Sequence, residues 1–264
     1  MCSVFTLACL CGVNRELCID NFSGASIVRL VMRATRITAL AGLSTALLGT
    51  ANADIESSAS VGYNTDYVYR GANLGEDLVD FSLGFSGSTD VADWSIGLWH
   101  GSWDGAVDET QVHATVSKCI SDALTVKAGI VNHSNTGGGL FVEDRLEAVV
   151  GASTNLSGIE LSAAAYFNAA DDDYTHDVYY EVGAGYSQEL GASLTGSIGA
   201  KLGVWDSDPL GGAADDVTFV AITGALSYAA SDSITLNAYI THSISDDWVL
   251  DDETFGGASV SVKF

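Results

Sequence analysis

The stretch Ala258-Ser259-Val260-Ser261-Val262-Lys263-Phe264 alternates apolar and polar residues and ends on an aromatic side chain. Successive side chains of a β-strand point to opposite faces, so the apolar residues of this stretch share one face and the polar residues share the other. One face therefore fits lipid and the other fits water. The stretch predicts either the last strand of a membrane-spanning β-barrel or an amphipathic edge strand of a soluble β protein.

The same period of two runs through the chain after residue 54. Apolar residues alternate with Ser, Thr, Gly or charged residues in segments that are typical of half-exposed strands. The tenth segment is less regular, because Val217, Phe219 and Ala221 make its second face apolar too, so ten or fourteen strands stay possible. The pattern favours twelve strands, over residues 59–69, 79–85, 94–98, 112–116, 124–130, 146–152, 159–167, 178–186, 194–204, 220–228, 234–240 and 258–264.

Connections between these segments alternate between short and long, and the long ones are acidic. The short connections are 86–93, 120–122, 155–158, 189–191 and 230–232; the long ones are 100–109, 133–143, 169–177, 206–216 and 245–253. Outer-membrane barrels have an even number of strands, short periplasmic turns and longer extracellular loops. No apolar run after residue 53 approaches the roughly 20 residues that a spanning helix needs. We predict an all-β fold, an antiparallel transmembrane β-barrel of about 12 strands.

The polar faces of the strands consist of Gly, Ser, Thr, Asn and scattered charged residues. A soluble β-sandwich would bury a face of large residues instead, whereas a water-filled or polar-packed barrel interior fits these side chains. Aromatic residues lie near the strand ends, and girdles of aromatic residues mark the membrane interfaces of such barrels. We expect one girdle of Tyr67, Tyr69, Trp99, Trp103, Phe167 and Trp205, and a second one of Trp94 and Phe264.

The segment from Met32 to Ala53 has the order of a secretory signal peptide. Two arginines follow Met32, an apolar stretch covers 37–48, and Ala51-Asn52-Ala53 supplies a small-residue cleavage site. The alternative is a membrane anchor, but the apolar stretch is too short to cross a bilayer. We predict that residues 1–31 come from an over-extended start and carry no fold, that residues 32–53 are the signal peptide, and that residues 54–264 form the barrel.

The chain is strongly acidic. Of its 34 acidic and 10 basic residues, two acids and four bases precede Asp54, which leaves 32 against 6 in the predicted mature chain, a formal net charge of −26. Nucleic-acid binding depends on Lys and Arg neutralising phosphates, so this charge excludes that function. Cys119 is the one cysteine after residue 53 in the sequence, so the mature chain forms no internal disulfide.

The segment Ala59-Ser60-Val61-Gly62-Tyr63-Asn64-Thr65-Asp66-Tyr67-Val68-Tyr69-Arg70-Gly71 resembles the opening strand of the TorF family of porin-like proteins. Members begin the mature chain with a similar Ser-Asp-Tyr-(Val/Phe)-(Phe/Tyr)-Arg-Gly stretch, although here Asn64-Thr65 precedes Asp66. The likeness continues through residues 79–85 and the Trp-rich residues 94–103. This resemblance implies an outer-membrane barrel with a pore function. The terminal stretch resembles the C-terminal signature of bacterial outer-membrane proteins, which implies that the barrel-assembly machinery recognises Phe264.

If the odd-numbered residues of the first strand face lipid, the alternation places five acids and four bases inside the barrel. They could form a transverse field that filters small polar solutes, as charged walls do in pores. Alternatively, they could pair into salt bridges and plug a narrow barrel. These candidate lumen residues are Asp66, Arg70, Asp80, Lys127, Arg145, Glu147, Glu160, Glu181 and Lys201.

The acidic clusters in the long connections could bind Ca²⁺ or Mg²⁺, but none has the spacing of a calcium loop, so solvated charge is the favoured interpretation. The weak metal candidates are Asp171, Asp172, Asp173, Asp251 and Asp252. The histidines are isolated, and only Ser134 beside His133 could join a nucleophile to a base. We predict no catalytic site and no cofactor.

Taken together, these patterns predict a porin-like channel of the bacterial outer membrane for passive diffusion of small polar or cationic solutes. Its partners would be outer-membrane lipid and, during insertion, the barrel-assembly machinery. One alternative is a closed, plugged barrel that acts as a surface receptor or adhesin through its acidic loops. Another is a secreted, soluble β-sandwich lectin. Solute identity and oligomeric state stay open.

Overall fold

Alternation of apolar and polar residues produces twelve antiparallel strands, each paired with the next along the chain. A computed structural model describes residues 55–103, 107–136, 144–169, 178–206, 217–245 and 250–264. The strands are β1 (Glu56–Tyr69), β2 (Ala72–Ser88), β3 (Asp93–Trp103), β4 (Val107–Ser121), β5 (Leu124–Thr136), β6 (Arg145–Leu156), β7 (Ile159–Asn168), β8 (Val178–Gly191), β9 (Leu194–Trp205), β10 (Val217–Ala229), β11 (Ile234–Ser245) and β12 (Glu253–Lys263). Because β12 also pairs with β1, the barrel is closed, and the predicted fold class and strand number are confirmed.

Residues 1–54 lie outside the described residues, so the over-extended start, the signal peptide and the boundary at Asp54 stay predictions. Within the described ranges, no helix is long and apolar enough to cross a membrane.

The barrel has two different rims. The short-turn rim carries the connections 89–92, 122–123, 157–158, 192–193 and 230–233 together with the start of β1 and the end of β12. The long-loop rim carries the connections 104–106, 137–144, 169–177, 206–216 and 246–252. It also carries the β1–β2 connection, which consists only of Arg70 and Gly71. The β1–β2 and β3–β4 connections are therefore exceptions to the predicted alternation of lengths, and the β1–β2 connection positions the candidate site.

An apolar belt covers the outside of the barrel. Its side chains are exposed although they are large and hydrophobic, which is the arrangement that a lipid-facing wall requires. They belong to the faces that the sequence alternation predicts to be outward. Members of the belt include Val61, Val79, Phe81, Phe85, Val150, Phe167, Val182, Ile198, Leu202, Ile222, Leu226, Leu236, Ile240 and Val260.

The seam between β1 and β12 joins the two ends of the sheet. Val61 pairs with Val260, and Ser58 pairs with Lys263. The backbone N–H of Phe264 donates to the carbonyl of Ser57 over 3.0 Å, while the side chain of Phe264 is 72% exposed. The aromatic ring therefore contributes little to the packing of the closed barrel and is accessible to a binding partner.

Deletion of Phe264 is expected to lower the amount of assembled barrel and to leave the conductance of each assembled pore unchanged. The side chain shares the exposed outer face of Val260 and Val262, so its loss should leave the interior of the barrel unchanged. Heat-modifiable migration in gels measures the assembled fraction, and single-channel recording measures the conductance. An unchanged yield of assembled protein in cells would contradict the predicted role in assembly.

The β1–β2 hairpin departs from regular pairing near its tip. The register shifts between Asp66 and Val68, because two residues of β2, Leu74 and Gly75, lie opposite the single residue Tyr67. A one-residue irregularity of this kind bends a strand and reverses the face to which the following side chains point. Beyond it the hairpin tip, defined here as residues 67–74, turns into the barrel.

Candidate functional site

The hairpin tip crosses the interior of the barrel and contacts the opposite wall. Ala72 is buried in one cluster with Tyr179 of β8 and Trp205 of β9, strands that are not neighbours of β1 or β2. The indole N–H of Trp205 donates to the carbonyl oxygen of Arg70 over 3.2 Å. Since β1 and β9 lie on different sides of the barrel, these contacts can form only through the interior. Val217, Phe219 and Leu250 complete the buried cluster.

Gly71 permits this close approach. Its φ of 88° lies in the left-handed region, and a Cβ atom there would come 2.7 Å from the ring of Phe219. Arg70 also has a positive φ, 51°. A turn with two positive φ values is typical of tight hairpins, and glycine adopts it at no steric cost. The Arg70-Gly71 pair thus provides both the turn and the contact.

The side chain of Arg70 lies among four aromatic rings, which we call the Arg70 cage. Its guanidinium carbon is 4.3 Å from the ring centre of Tyr179, 4.4 Å from that of Tyr166, 4.8 Å from that of Tyr69 and 5.2 Å from that of Trp205. A cation within about 6 Å of an aromatic face is attracted by the ring quadrupole, by roughly 0.5–2 kcal/mol according to how far water is excluded. The cage therefore holds the hairpin tip against the wall.

One carboxylate completes the surroundings of Arg70. Nη1 and Nη2 of Arg70 donate to Oε1 and Oε2 of Glu147, each over 2.8 Å, and both side chains are less than 10% exposed. This parallel pair of bonds is the strongest geometry between a guanidinium and a carboxylate. Nε of Arg145 lies 3.7 Å from the same carboxylate. Because the pair is buried and bidentate, removing one partner leaves an uncompensated charge in the interior.

A chain of polar contacts continues from Glu147 to the other side of the hairpin tip. Nε2 of His133 lies 3.2 Å from Glu147, and Nδ1 lies 2.7 Å from Glu109. Glu109 in turn accepts a hydrogen bond from the hydroxyl of Tyr67 over 2.7 Å and one from the amide of Gln111 over 2.9 Å. The hairpin tip is thus anchored at two points, through Arg70 and through Tyr67, to carboxylates of β6 and β4.

The position of the aromatic residues corrects the predicted girdle. Tyr67, Trp103 and Trp205 are buried inside the barrel. Tyr69 and Trp99 pack against the buried cluster of Tyr67, Leu78 and Trp103, with the ring centres of Tyr67 and Trp103 4.6 Å apart. Tyr67 and Tyr69 face inward because the irregularity in the hairpin reverses the alternation on which the lipid-facing assignment depended. Of that predicted girdle, only Phe167 is an exposed, outward residue.

Register places the candidate lumen residues on interior positions, in three groups. Arg70, Arg145 and Glu147 belong to the buried network at the long-loop rim. Glu160, Glu181 and Lys201 line a cavity below it. The remaining three are Asp66 at the hairpin irregularity, Asp80, which accepts a hydrogen bond from Asn64 over 2.7 Å, and Lys127, which lies beside Gly151.

The cavity below the hairpin tip has a volume of about 470 Å³ and is bounded at its upper end by Arg70 and Phe219. A second cavity of about 510 Å³ adjoins it through shared lining residues such as Glu160 and Gly199, and reaches Asn155 and Gly158 at the short-turn rim. Together they form a polar passage from that rim to the Arg70 cage. Nζ of Lys201 lies 3.0 Å from the carboxylate of Glu181 in its wall.

Small residues create this passage. Gly183, Gly185 and Gly199 occupy inward positions of β8 and β9, where most strand residues would project a side chain. A Cβ atom added at Gly185 would meet nothing within 4 Å. The space beside β8 and β9 is therefore open because the sequence omits side chains there.

Two residues of the network were assigned to loops by the sequence patterns. Glu109 and His133 lie in β4 and β5, since these strands extend further toward the long-loop rim than the apolar alternation indicates. Glu109 and Gln111 do share the inward parity of His113, a signal that could have placed Glu109 inside. Ser134 lies on the other face of β5 from His133 and bonds to Asn132, so these residues form no nucleophile and base pair.

Among the described residues, no group of three or more His, Cys, Asp or Glu side chains is arranged to hold a metal ion. Asp251 and Asp252 lie in an exposed segment before β12. Asp171, Asp172 and Asp173 lie outside the described residues, so their predicted weak metal site is not described by the structure.

Comparisons with known proteins agree on the architecture. The barrel is similar to an outer membrane channel from Pseudomonas putida F1, with a TM-score of 0.55 and 12% identity over 80% of this chain and 95% of that one. It is also similar to the NanC porin, with a TM-score of 0.50 and 14% identity over 79% of this chain and 98% of that one. No family model matches the chain and no curated protein matches its sequence, so the TorF resemblance stays a prediction. The similarity to these two solved structures shows that the chain has the closed antiparallel barrel fold of outer-membrane channels.

Proposed function

We propose that this protein is a channel of the bacterial outer membrane, as the TorF resemblance implies, and that it passes small polar or cationic solutes by diffusion. The apolar belt supports a position in lipid, since every large outward side chain would otherwise face water. The observation that carries the proposal is the polar passage of two adjoining cavities inside a closed barrel, whose lining includes glycine, hydroxyl and charged residues beside several apolar ones. Such an interior suits water and hydrated solutes.

The hairpin tip forms the constriction of this channel. It occupies the interior at the long-loop rim, while the passage below it stays open toward the short-turn rim. Cation preference follows from the strongly acidic composition, because a negative surface raises the local concentration of cations at the mouth. High salt is expected to weaken this preference, since it screens exposed charges.

A second candidate function is a closed barrel that serves as a surface receptor or adhesin. The buried Arg70–Glu147 pair favours it, because it fixes the hairpin tip across the interior. The two candidates differ in one measurable property, which is whether solute crosses the barrel.

Replacing Gly185 by phenylalanine is expected to lower the single-channel conductance of the refolded barrel several-fold. Its Cβ atom would stand in open space in the passage, so the new side chain should narrow the path of the solute. Planar-bilayer recording measures the conductance, and liposome swelling measures the entry of uncharged sugars of graded size. The reversal potential in a salt gradient reports the cation preference in the same experiment.

The matched control is Gly224→Phe. A Cβ atom at Gly224 also meets nothing within 4 Å, but this residue pairs with Ile198 and Ile240 on the outer face. Gly224→Phe should therefore conduct like the unaltered protein. If neither the unaltered protein nor the control conducts or swells liposomes when fully folded, the channel function is wrong and the closed-barrel candidate takes its place.

A further inference from the structure

The opposite wall of the barrel forms a pocket into which the hairpin tip inserts a side chain. We define the wall pocket by Glu147 of β6, Tyr166 of β7, Tyr179 of β8 and Trp205 of β9. These four residues surround the guanidinium of Arg70 with one carboxylate and three aromatic rings. None of these four residues belongs to the hairpin, whose own Tyr69 adds a further ring 4.8 Å from the guanidinium carbon.

The arrangement matches the chemistry of a guanidinium group in particular. A carboxylate that accepts two parallel N–H bonds selects the planar fork of a guanidinium, and a compact ammonium cannot reproduce that geometry. Tyr166 and Tyr179 place their ring centres within 4.4 Å of the guanidinium carbon, which suits the flat, weakly hydrated face of this cation. Aromatic cages are also used by proteins to bind cationic ligands.

The pocket is reachable from the solute path. Arg70 itself lines the cavity of about 470 Å³, beside Glu181 and Lys201. A solute that enters from the short-turn rim therefore meets Arg70 at the end of the polar passage. If the side chain of Arg70 withdraws or is removed, the space that it leaves faces that passage.

We propose that the wall pocket is a binding site for guanidinium-bearing solutes, which Arg70 of the same chain occupies as an internal ligand. This deepens the proposed function, on which it rests, by naming a solute class for the channel. Arg70 is tethered, so its effective concentration at the pocket is on the order of millimolar or higher, and a free guanidinium must compete with it. Removal of the Arg70 side chain should expose the empty pocket.

The experiment measures binding in detergent, which requires no conductance. The unaltered protein, Arg70→Ala, Arg70→Ala with Glu147→Gln, and Lys118→Ala are refolded, and their folding is verified by heat-modifiable migration. Each is titrated by calorimetry with methylguanidinium chloride at constant ionic strength. Urea serves as a neutral ligand of the same shape, and methylammonium as a cation without the planar fork. Lys118 is exposed near the short-turn end of β4, so its replacement removes one positive charge away from the pocket.

We expect Arg70→Ala to bind methylguanidinium saturably and at least about tenfold more tightly than the unaltered protein, because the tethered competitor is gone. Adding Glu147→Gln should weaken that binding about tenfold or more, which corresponds to the loss of one charged hydrogen-bonded pair. Lys118→Ala should bind like the unaltered protein.

Folded Arg70→Ala that shows no saturable binding, or that binds methylammonium or urea as well as methylguanidinium, would overturn the proposal. The two proposals fail separately. Binding by a barrel that never conducts would support the site and contradict the channel, whereas conduction without binding would overturn only the site.

Discussion

Arg70→Ala is expected to raise the single-channel conductance of the refolded barrel several-fold. The substitution removes the bidentate bonds to Glu147 and the contacts with the four rings of the Arg70 cage, so the hairpin tip loses its strongest attachment to the opposite wall. Glu147 keeps His133 at 3.2 Å and Arg145 at 3.7 Å, so its charge stays compensated and the barrel should still fold. Planar-bilayer recording of the refolded variant measures the effect.

Lys118→Ala is the matched control for this prediction, because it removes the same formal charge at an exposed position. Its conductance should equal that of the unaltered protein. Arg70→Lys should give an intermediate conductance, since lysine keeps the charge but loses the planar fork. Equal conductance of folded Arg70→Ala and the unaltered protein would show that the hairpin tip is not the constriction.

Glu147→Gln is expected to destabilise the barrel by about 3–5 kcal/mol, the usual cost of breaking a buried ion pair on one side. The substitution leaves Arg70 without its carboxylate in a place that is less than 10% exposed, and also removes the carboxylate near Arg145 and one of the two carboxylates beside His133. Urea unfolding of the protein in lipid vesicles, followed by tryptophan fluorescence, measures the free energy of unfolding. Urea is preferable to guanidinium chloride here, because guanidinium is the proposed ligand of the pocket.

Glu181→Gln provides the comparison. Its partner Lys201 lies 3.0 Å away, but these side chains are 23% and 47% exposed, so the loss should be about 0–1 kcal/mol. A Glu147→Gln variant that is no less stable than Glu181→Gln would contradict the view that the buried network holds the hairpin tip.

The alternation of side chains was enough to predict the barrel, since each of the twelve predicted segments lies within a strand of the structure, apart from the terminal Phe264. The structure also explains why the second face of the tenth segment is apolar. Val217 and Phe219 are inward residues of β10 that pack against the hairpin tip instead of lining water. The apolar second face of this segment is therefore explained by its contact with the hairpin tip.

The inward position of the hairpin tip could not be predicted from alternation. A period of two assigns every residue of a strand to a face only while the pairing stays regular, and the irregularity beside Tyr67 violates that condition. The alternation therefore assigned Tyr67 and Tyr69 to the lipid-facing side. It assigned Arg70, the next residue along the chain, to the interior. The motif Tyr67-Val68-Tyr69-Arg70-Gly71 stood out in the sequence, but its partner Glu147 is far along the chain and only the closed barrel brings the two together.

The barrel closes only when β1 and β12 pair at their seam. Ser58 of β1 pairs with Lys263 of β12, so this contact joins the first strand of the barrel to the last one. Contacts between residues so distant in sequence form slowly. Until this contact forms, one edge of β1 keeps its backbone donors and acceptors unpaired. Such an edge can pair with a strand of another chain and cause aggregation. A chain whose β12 has not yet paired therefore carries an open sheet edge, and the pairing of β12 with β1 removes it.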